Sequence, residues 1–362
     1  MADFDERSTR ALARALSRWF EAEARDLAWR RTRDPYAIWV SEVMLQQTRV
    51  ETVERYWPEF LARFPDLASL AAAREDEVLE QWSGLGYYRR ARLLHRGAKQ
   101  VHEQLGGQLP RSAAELRTIP GIGRYTAGAI ASIAFDERAP LVDGNVARVR
   151  SRLLAIADPR EQDAKHEGHW RFVAQILEHG SPRILAQALM ELGATICTPR
   201  SPGCSGCPLR SKCRARREGS QASIPAVKLK KPSPKLRYFA LGLRHRGRLL
   251  LERRADEGLL AGLWCLPLFA RDPELALAEH ARALSVAAGE RFGVELRLAE
   301  APAGEVEHVF SHRIWQLVVW PARARRAPKI DRREHAWISE GDAPEGGVPS
   351  LTRKLLRTLG EG

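Results

Sequence analysis

No stretch of the sequence approaches the roughly 20 consecutive apolar residues that a membrane-spanning helix needs, which excludes a helical span. The N-terminal stretch from Met1 to Arg10 is acidic and polar and has no apolar signal-peptide core, so a soluble, intracellular protein is expected. No internal repeat is visible, which excludes a solenoid. Cysteine is scarce: there are five in 362 residues, and four of them lie between Cys197 and Cys213. In an intracellular chain that concentration points to a metal centre and away from disulfides. Strand-like alternation is missing before Cys197.

Apolar residues make up 44% of the chain, which is ordinary for a globular protein and too many for a disordered one. The length suggests two or three domains. The net charge of +13 favours a polyanionic partner, either nucleic acid or an anionic membrane surface. Charge alone does not separate these from a basic enzyme of another kind.

Helical periodicity runs through Val50–Phe64, Val78–Trp82, Arg90–Leu105, Asn145–Ile156, Arg171–Leu177 and Ile184–Leu192. Asp34 followed by Pro35 forms a helix start, and Thr48 with Glu51 and Ser112 with Glu115 fit the capping-box pattern. After the cysteines, a basic stretch holding Pro225, Pro232 and Pro234 reads as a linker. Beyond it, strand-like runs appear at Tyr238–Leu243, Arg248–Leu251, Val306–Phe310 and Ile314–Trp320. Helical stretches lie at about Glu274–Arg291 and Leu351–Leu359, so this part is α+β.

Cys197, Cys204, Cys207 and Cys213 have the spacing C-x6-C-x2-C-x5-C. Four thiolates in one short loop can ligate a [4Fe–4S] cluster. Zinc is the alternative, although only Cys204 and Cys207 form the short arm usual in structural zinc sites. A loop closed in this way would fix Arg200, Arg210, Lys212 and Arg214, which are expected to face phosphates. Cys265, between Trp264 and Leu266, reads as a core thiol. Upstream, Leu116 to Phe135 reads LRTIPGIGRYTAGAIASIAF. Pro120 stops one helix, and Gly121 and Gly123 allow a tight turn with close backbone approach. The next helix starts near Arg124, so its unpaired N–H groups and dipole form an anion site suited to a DNA phosphate; by this motif alone, an ordinary turn between two helices is the alternative.

The hairpin, the Val142-Asp143-Gly144-Asn145-Val146 segment and the cysteine spacing, in that order, resemble the endonuclease III superfamily of base-excision glycosylases. The match covers roughly residues 10 to 215. The stretch SEVMLQQT around Glu42 is similar to the signature of its adenine-specific branch. The resemblance implies residues 1–215 as an all-α helix-hairpin-helix glycosylase region with a [4Fe–4S] loop at 197–213. A linker at 216–235 and an α+β Nudix-like domain at 236–362 would follow.

Cleaving an N-glycosidic bond through an oxocarbenium-like transition state calls for an acid on the leaving base and a negative group beside the sugar. Glu42 sits among apolar residues, so burial would favour its protonated form. By pattern alone it could equally face solvent from an amphipathic helix. Asp143 could merely cap the next helix. The resemblance assigns Glu42 to protonation of adenine and Asp143 to stabilisation of the sugar cation, with Asn145 in support. Tyr125 stands where bifunctional relatives carry the lysine that forms a Schiff base, so base removal with little lyase action is implied. Gln46, Gln47 and Tyr87 match residues that fill the gap left by the flipped base and wedge beside the opposite one.

In the C-terminal part, ARALSVAAGERFG at 281–293 lacks the acidic array that a Nudix hydrolase uses for magnesium, so recognition without hydrolysis is implied. Phe310-Ser311-His312 matches a loop that reads 8-oxoguanine in the family. The implied partner is double-stranded DNA with adenine opposite 8-oxoguanine or guanine. A monomer in a bacterial cytoplasm, associated with the nucleoid through DNA, is expected. The rival readings are an enzyme acting on oxidised pyrimidines, a non-catalytic redox-sensing DNA binder and a zinc-bearing structural protein.

Overall fold

A computed structural model describes residues 4–226, 232–272, 276–331, 333–339, 342 and 346–360, apart from the side chains of 277 and 278. Two compact units emerge: Met1–Ala73 with Arg89–Leu229, and Arg74–Tyr88 with Lys230–Gly362. Among the described residues, no helix is long and apolar enough to cross a membrane.

The first unit is helical. It contains α1 (Glu6–Glu23), α2 (Pro35–Leu45), α3 (Val50–Arg63) and α4 (Leu67–Ala72). After α5 (Glu75–Gln81), which belongs to the other unit, it resumes with α6 (Arg89–Gln104), α7 (Ala113–Leu116), α8 (Arg124–Phe135) and α9 (Gly144–Leu154). It ends with α10 (Glu167–Leu177), α11 (Pro182–Glu191) and α12 (Arg214–Glu218). The stretch expected to be linker therefore opens with the end of α12, and Ile224 within it is buried.

Helix α2 is the centre of this unit. Nine of its eleven residues are buried, so it is apolar on every side and must be covered by other helices. Asp34 caps it by accepting from the Tyr36 and Ala37 N–H groups, with Pro35 in the first turn, as the sequence predicts. At its other end the Arg90 guanidinium donates to the Val43 and Met44 carbonyls, each at 2.8 Å, and to that of Gln46. These are the orphan acceptors of a helix C-terminus, and a buried cation satisfies both their hydrogen bonds and the dipole. Arg90 also corrects one expectation. Thr48 does not cap α3, whose N-cap is Arg49; its hydroxyl instead accepts from Arg90 at 3.1 Å. Ser112, by contrast, does cap α7 through the Glu115 N–H.

The second unit is built on an eight-stranded sheet. Its strands are β1 (Lys235–His245), β2 (Arg248–Arg253), β3 (Trp264–Cys265), β4 (Leu268–Ala270), β5 (Leu296–Leu298), β6 (Gly304–Val309), β7 (Ile314–Ala324) and β8 (His335–Ile338). β1 runs parallel to β7, with Phe239 opposite Val318, and the other pairs are antiparallel. Phe239 to Leu243 are all buried because both faces are covered. On one face Phe239, Leu241 and Trp320 pack with Leu284, Ala288 and Phe292 of α13 (Leu277–Phe292). On the other, Ala240, Leu251 and Val319 pack with Leu351 and Leu355 of α14 (Ser350–Thr358). Helix α13 begins later than the expected Glu274, which lies outside the described residues. The segment 74–88 belongs here by its contacts: Tyr88 and Ser83 donate to the Val348 carbonyl at 3.2 and 2.9 Å.

The first unit is packed to backbone contact at Gly128. A Cβ there would lie 2.2 Å from the Pro140 carbonyl oxygen, so α8 can lie against the chain leading to Asp143 only with glycine. Gly128→Ala is expected to destabilise the protein by about 1–3 kcal/mol through overpacking. Thermal unfolding checks this, and an unchanged midpoint would show that the two segments can part without cost.

Candidate active site

Helices α2, α8, α9 and α11 surround a cavity of about 530 Å³ in the first unit. Glu42, Gln46, Gln47, Tyr125, Asp143 and Asn145, all singled out in the sequence, line it together.

Glu42 is 5% exposed. It sits one turn before the end of α2, on a helix that offers no dry-to-wet gradient along its circumference. Burial pushes its carboxyl up to about 7; the nearby negative charge of Asp143 adds to this, while a hydrogen bond with Tyr125 and the charge of Arg30 oppose it. Tyr125, in the first turn of α8, also reaches the Met190 sulfur at 3.1 Å. Burial, with the charges of Glu42 and Asp143, raises its phenol well above the usual range, so it stays neutral.

Asp143 is the N-cap of α9 and accepts from the Val146 N–H at 2.8 Å. The carboxylate to which the sequence resemblance assigns a functional role is therefore also the cap of α9. Asn145 donates to its second oxygen at 2.8 Å. Burial raises the Asp143 carboxyl; the bonds from Val146 and Asn145 and the charge of Arg148 pull the other way. Arg148 in turn donates to the Asn145 amide oxygen at 2.7 Å, to the Gly193 carbonyl at 2.8 Å and to the Cys197 carbonyl at 2.7 Å. Gly193 lies in a π-helical turn, Leu192–Ile196, after α11. A Cβ on it would come within 2.5 Å of the Asn145 Cβ. The cysteine loop is thus tied to the N-cap of α9 by one guanidinium.

Cys197, Cys204, Cys207 and Cys213 are all half-buried. Burial pushes the Cys207 thiol up to about 11, and the three neighbouring cysteines push the same way, so these sulfurs sense one another's charge. Arg152, 2% exposed, donates to the Cys197 sulfur at 3.3 Å and to the Thr198 carbonyl at 2.7 Å. Such a donor set suits a group bearing negative thiolates. Among the described residues, however, no three metal-ligating side chains converge as they would around a single ion.

At the hairpin, Gly121 takes a φ of +82° and Gly123 is the N-cap of α8 with no side-chain cap. Both are exposed, and no side chain caps the first N–H groups of α8. The Arg124 side chain departs from the simple expectation: it stacks over Trp170 at 3.8 Å and pairs with Glu167. Gln46 closes α2 and donates to the Thr126 hydroxyl at 3.3 Å, while Gln47 is exposed in a left-handed conformation, φ +59°.

In the second unit, Tyr87 is 46% exposed at φ +48° between Gly86 and the buried Tyr88. Phe310 packs on Trp315 with ring centres 5.0 Å apart and bonds through its N–H to the Arg313 carbonyl at 2.9 Å. This tight turn between β6 and β7 projects Ser311 and His312 into solvent, with Ser311 Oγ 3.2 Å from His312 Nδ1.

The structure adds residues that the sequence reading passed over. Arg25, Arg30, Gln187, Met190 and Glu191 also line the cavity. Glu191 is 1% exposed and receives Arg25 at 2.8 and 2.7 Å and Arg30 at 2.7 Å. Burial pulls its carboxyl upward, but these hydrogen bonds outweigh burial and hold it down to about 2. The signal was present in the sequence: Glu191 interrupts the apolar pattern of Ile184–Leu192 much as Glu42 interrupts its own helix. Glu191→Ala would leave two cations facing the cavity and is expected to cost about 3–5 kcal/mol. Because the folded-state value is depressed, the wild-type stabilisation is present above the ordinary glutamate range, near 4.5, and is lost as pH falls towards 2. Denaturation midpoints across that range, wild type against variant, check both the size and the sign.

Residues 40–171 match the family model described as "HhH-GPD superfamily base excision DNA repair protein", and residues 238–358 match a NUDIX domain model. The chain is 36% identical to the mouse adenine DNA glycosylase over 94% of this chain and 76% of that protein. It is 38% identical to the human one over 95% and 73%. It is 33% identical to that of Buchnera aphidicola from Acyrthosiphon pisum over 94% and 95%. Among solved structures, a thermostable thymine-DNA glycosylase superposes with a TM-score of 0.53 at 26% identity, covering 59% of this chain and 98% of that one. A non-covalent endonuclease III–DNA complex shares the fold, with a TM-score of 0.51 at 23% identity, covering 60% and 98%. With helices around two carboxylates and relatives matched over most of both lengths, the chain belongs to the adenine DNA glycosylase family.

Proposed function

We propose that the protein removes adenine paired with 8-oxoguanine or guanine in duplex DNA by hydrolysing the N-glycosidic bond, with little or no strand cleavage of its own. The observation that carries this reading is the buried Glu42 carboxyl facing the same cavity as Asp143. A carboxyl with a value of about 7 is protonated often enough at neutral pH to give its proton to a departing base. Asp143, held by the Val146 N–H and Asn145, places negative charge where the sugar becomes cationic. Tyr125 provides a neutral hydroxyl and no amine, so the imine route to strand cleavage is closed.

The adenine must leave the stack before it reaches this cavity, at a cost of roughly a few kcal/mol. Tyr87 and Gln47, both exposed and in left-handed backbone conformations, suit the wedge and gap-filling roles. Stacking of one ring on a base offsets about 1–3 kcal/mol of that cost. The first N–H groups of α8, which no side chain caps, suit a phosphate. Ser311 and His312 offer a hydroxyl and an imidazole to the added oxygen and altered ring nitrogen of 8-oxoguanine. The four cysteines would hold a [4Fe–4S] cluster, whose iron–thiolate bonds cross-link the 197–213 loop when bound.

The test is single-turnover excision on duplex with one adenine opposite 8-oxoguanine, read with and without alkali. Strand breaks only after alkali are expected. No excision by cluster-loaded protein would overturn the substrate, and breaks without alkali would overturn the lyase-free chemistry. Glu42→Gln should lower the rate by about 10²–10⁴ while leaving DNA binding intact. Because the acid form is the active one, the wild-type rate should fall about tenfold per pH unit above about 7, and Glu42→Gln should lose this dependence. Ser311→Ala with His312→Ala should reduce the preference for 8-oxoguanine over guanine by about tenfold for each hydrogen bond lost, roughly 1.4 kcal/mol. An unchanged ratio would remove the turn from recognition.

A further inference from the structure

The second unit carries another concave site that the glycosylase reading does not use. It has a volume of about 490 Å³ and is lined by His245, Arg246, Arg248, Arg325, Arg326, Ala327 and Trp337. Four arginines meet there and no carboxylate lines it. All four are exposed, and among the described residues none of them is ion-paired. Three exposed arginines elsewhere do pair with acids, Arg138 with Glu178, Arg160 with Asp158 and Arg214 with Glu218, whereas this cluster brings four together with none. Register adds Arg297 and Arg323, which lie opposite each other, to the same end of the sheet. Like charges gathered this closely repel one another unless an anion joins them.

The turn that carries part of this charge is itself unusual. Arg244 pairs with Leu249 and His245 with Arg248, which leaves Arg246 and Gly247 as a two-residue hairpin loop. Both have positive φ, +50° and +79°, the conformation of a type I′ turn. Asn, Asp or Gly is favoured in the first of these places, and an arginine stands there instead. Trp337 and His245, with ring centres 6.1 Å apart, supply a half-buried aromatic wall. Arginine forks beside aromatic rings suit the phosphates and sugars of a nucleic-acid backbone.

The site stands apart from the turn that holds Ser311 and His312. That turn precedes the eleven-residue β7 and Arg325 follows it, so the two lie at opposite ends of a strand roughly 35 Å long. We propose that this arginine cleft is a second, sequence-independent contact for the phosphodiester backbone of DNA. The phosphates come either from a distant part of the duplex under repair or from a separate DNA segment. About ten base pairs of one duplex, at about 3.4 Å each, would span the distance.

The test uses the full, cluster-loaded chain and compares it with Arg325→Ala/Arg326→Ala. Affinity for an undamaged 40-bp duplex is measured over a salt series. Loss of two phosphate contacts should flatten the slope of log Kobs against log salt by about 1.8 and lower affinity on the order of tenfold at about 0.1 M salt. Single-turnover excision at saturating protein should be unchanged, because neither residue lines the catalytic cavity; this reads the glycosylase activity separately from the new contact. Arg246→Gly removes a charge where the backbone favours glycine, so it should flatten the slope by about 0.9 without disturbing the fold.

A 12-bp duplex centred on the mispair extends only about 20 Å to either side and distinguishes the two sources of phosphate. If the same duplex is tracked, the variant and wild type bind this short DNA alike. If a separate segment is held, wild type binds two short duplexes and the double variant one. Unchanged slope, affinity and stoichiometry in both variants would overturn the proposal. Loss of poly-glutamate binding with DNA binding intact would also overturn it and make the cleft a site for an acidic protein.

Discussion

Taking the Glu42 carboxyl out of water disfavours its charged form, and much of the first unit serves to keep that carboxyl dry and in place. Helix α2 is buried on nearly every side, which lets an acid on it be buried at all. A helix so enclosed cannot use water to satisfy its last carbonyls, and Arg90 takes over that task. The same arginine fixes the chain as it turns into Gln46 and Thr48, so the placement of the acid and the shape of the cavity mouth depend on one buried cation.

The second carboxylate is held by different means. Asp143 is bound as an N-cap, which fixes its position through the backbone of α9, and Asn145 fixes its remaining oxygen. Two acids facing one cavity repel each other's ionisation. The more enclosed one, against its apolar helix, rises to about 7, and the capped one receives three stabilising influences from Val146, Asn145 and Arg148. That asymmetry suits two carboxyl groups with different tasks. Glu191, clamped by Arg25 and Arg30, is the opposite case: an acid in the same wall that stays ionised because cations meet it.

Arg148 links this wall of the cavity to the cysteine loop through Asn145, Gly193 and Cys197. Arg152, one helical turn later, reaches the Cys197 sulfur and the carbonyls that follow. The loop is therefore fastened to α9 by two guanidiniums. In the second unit, the sheet has exposed polar features at both ends of β7: the Ser311–His312 turn at one and the arginine cleft at the other.

Much of this was legible in the residues. The proline and glycines of the hairpin, the cysteine spacing, the Asp34–Pro35 helix start and an acid set among apolar residues are local signals, because each depends on chemistry within a few positions. The helical segments from Val50 to Leu192 agree with the structure to within a few residues, since their apolar faces are periodic. Short strands such as Trp264–Cys265, Leu268–Ala270 and Leu296–Leu298 were not legible, because two or three residues carry no period and form strands only where a longer neighbour pairs with them. The placement of residues 74–88 with the sheet, the clamp on Glu191 and the role of Arg90 were not legible either, as each joins positions far apart in the chain. The order of residues dictates which chemical groups are present and which of them lie in turns, caps and apolar helices. Which carboxyl is dry, which arginine is spoken for and which arginines face solvent follow from the packed fold, because desolvation and charge pairing are set by distance in space.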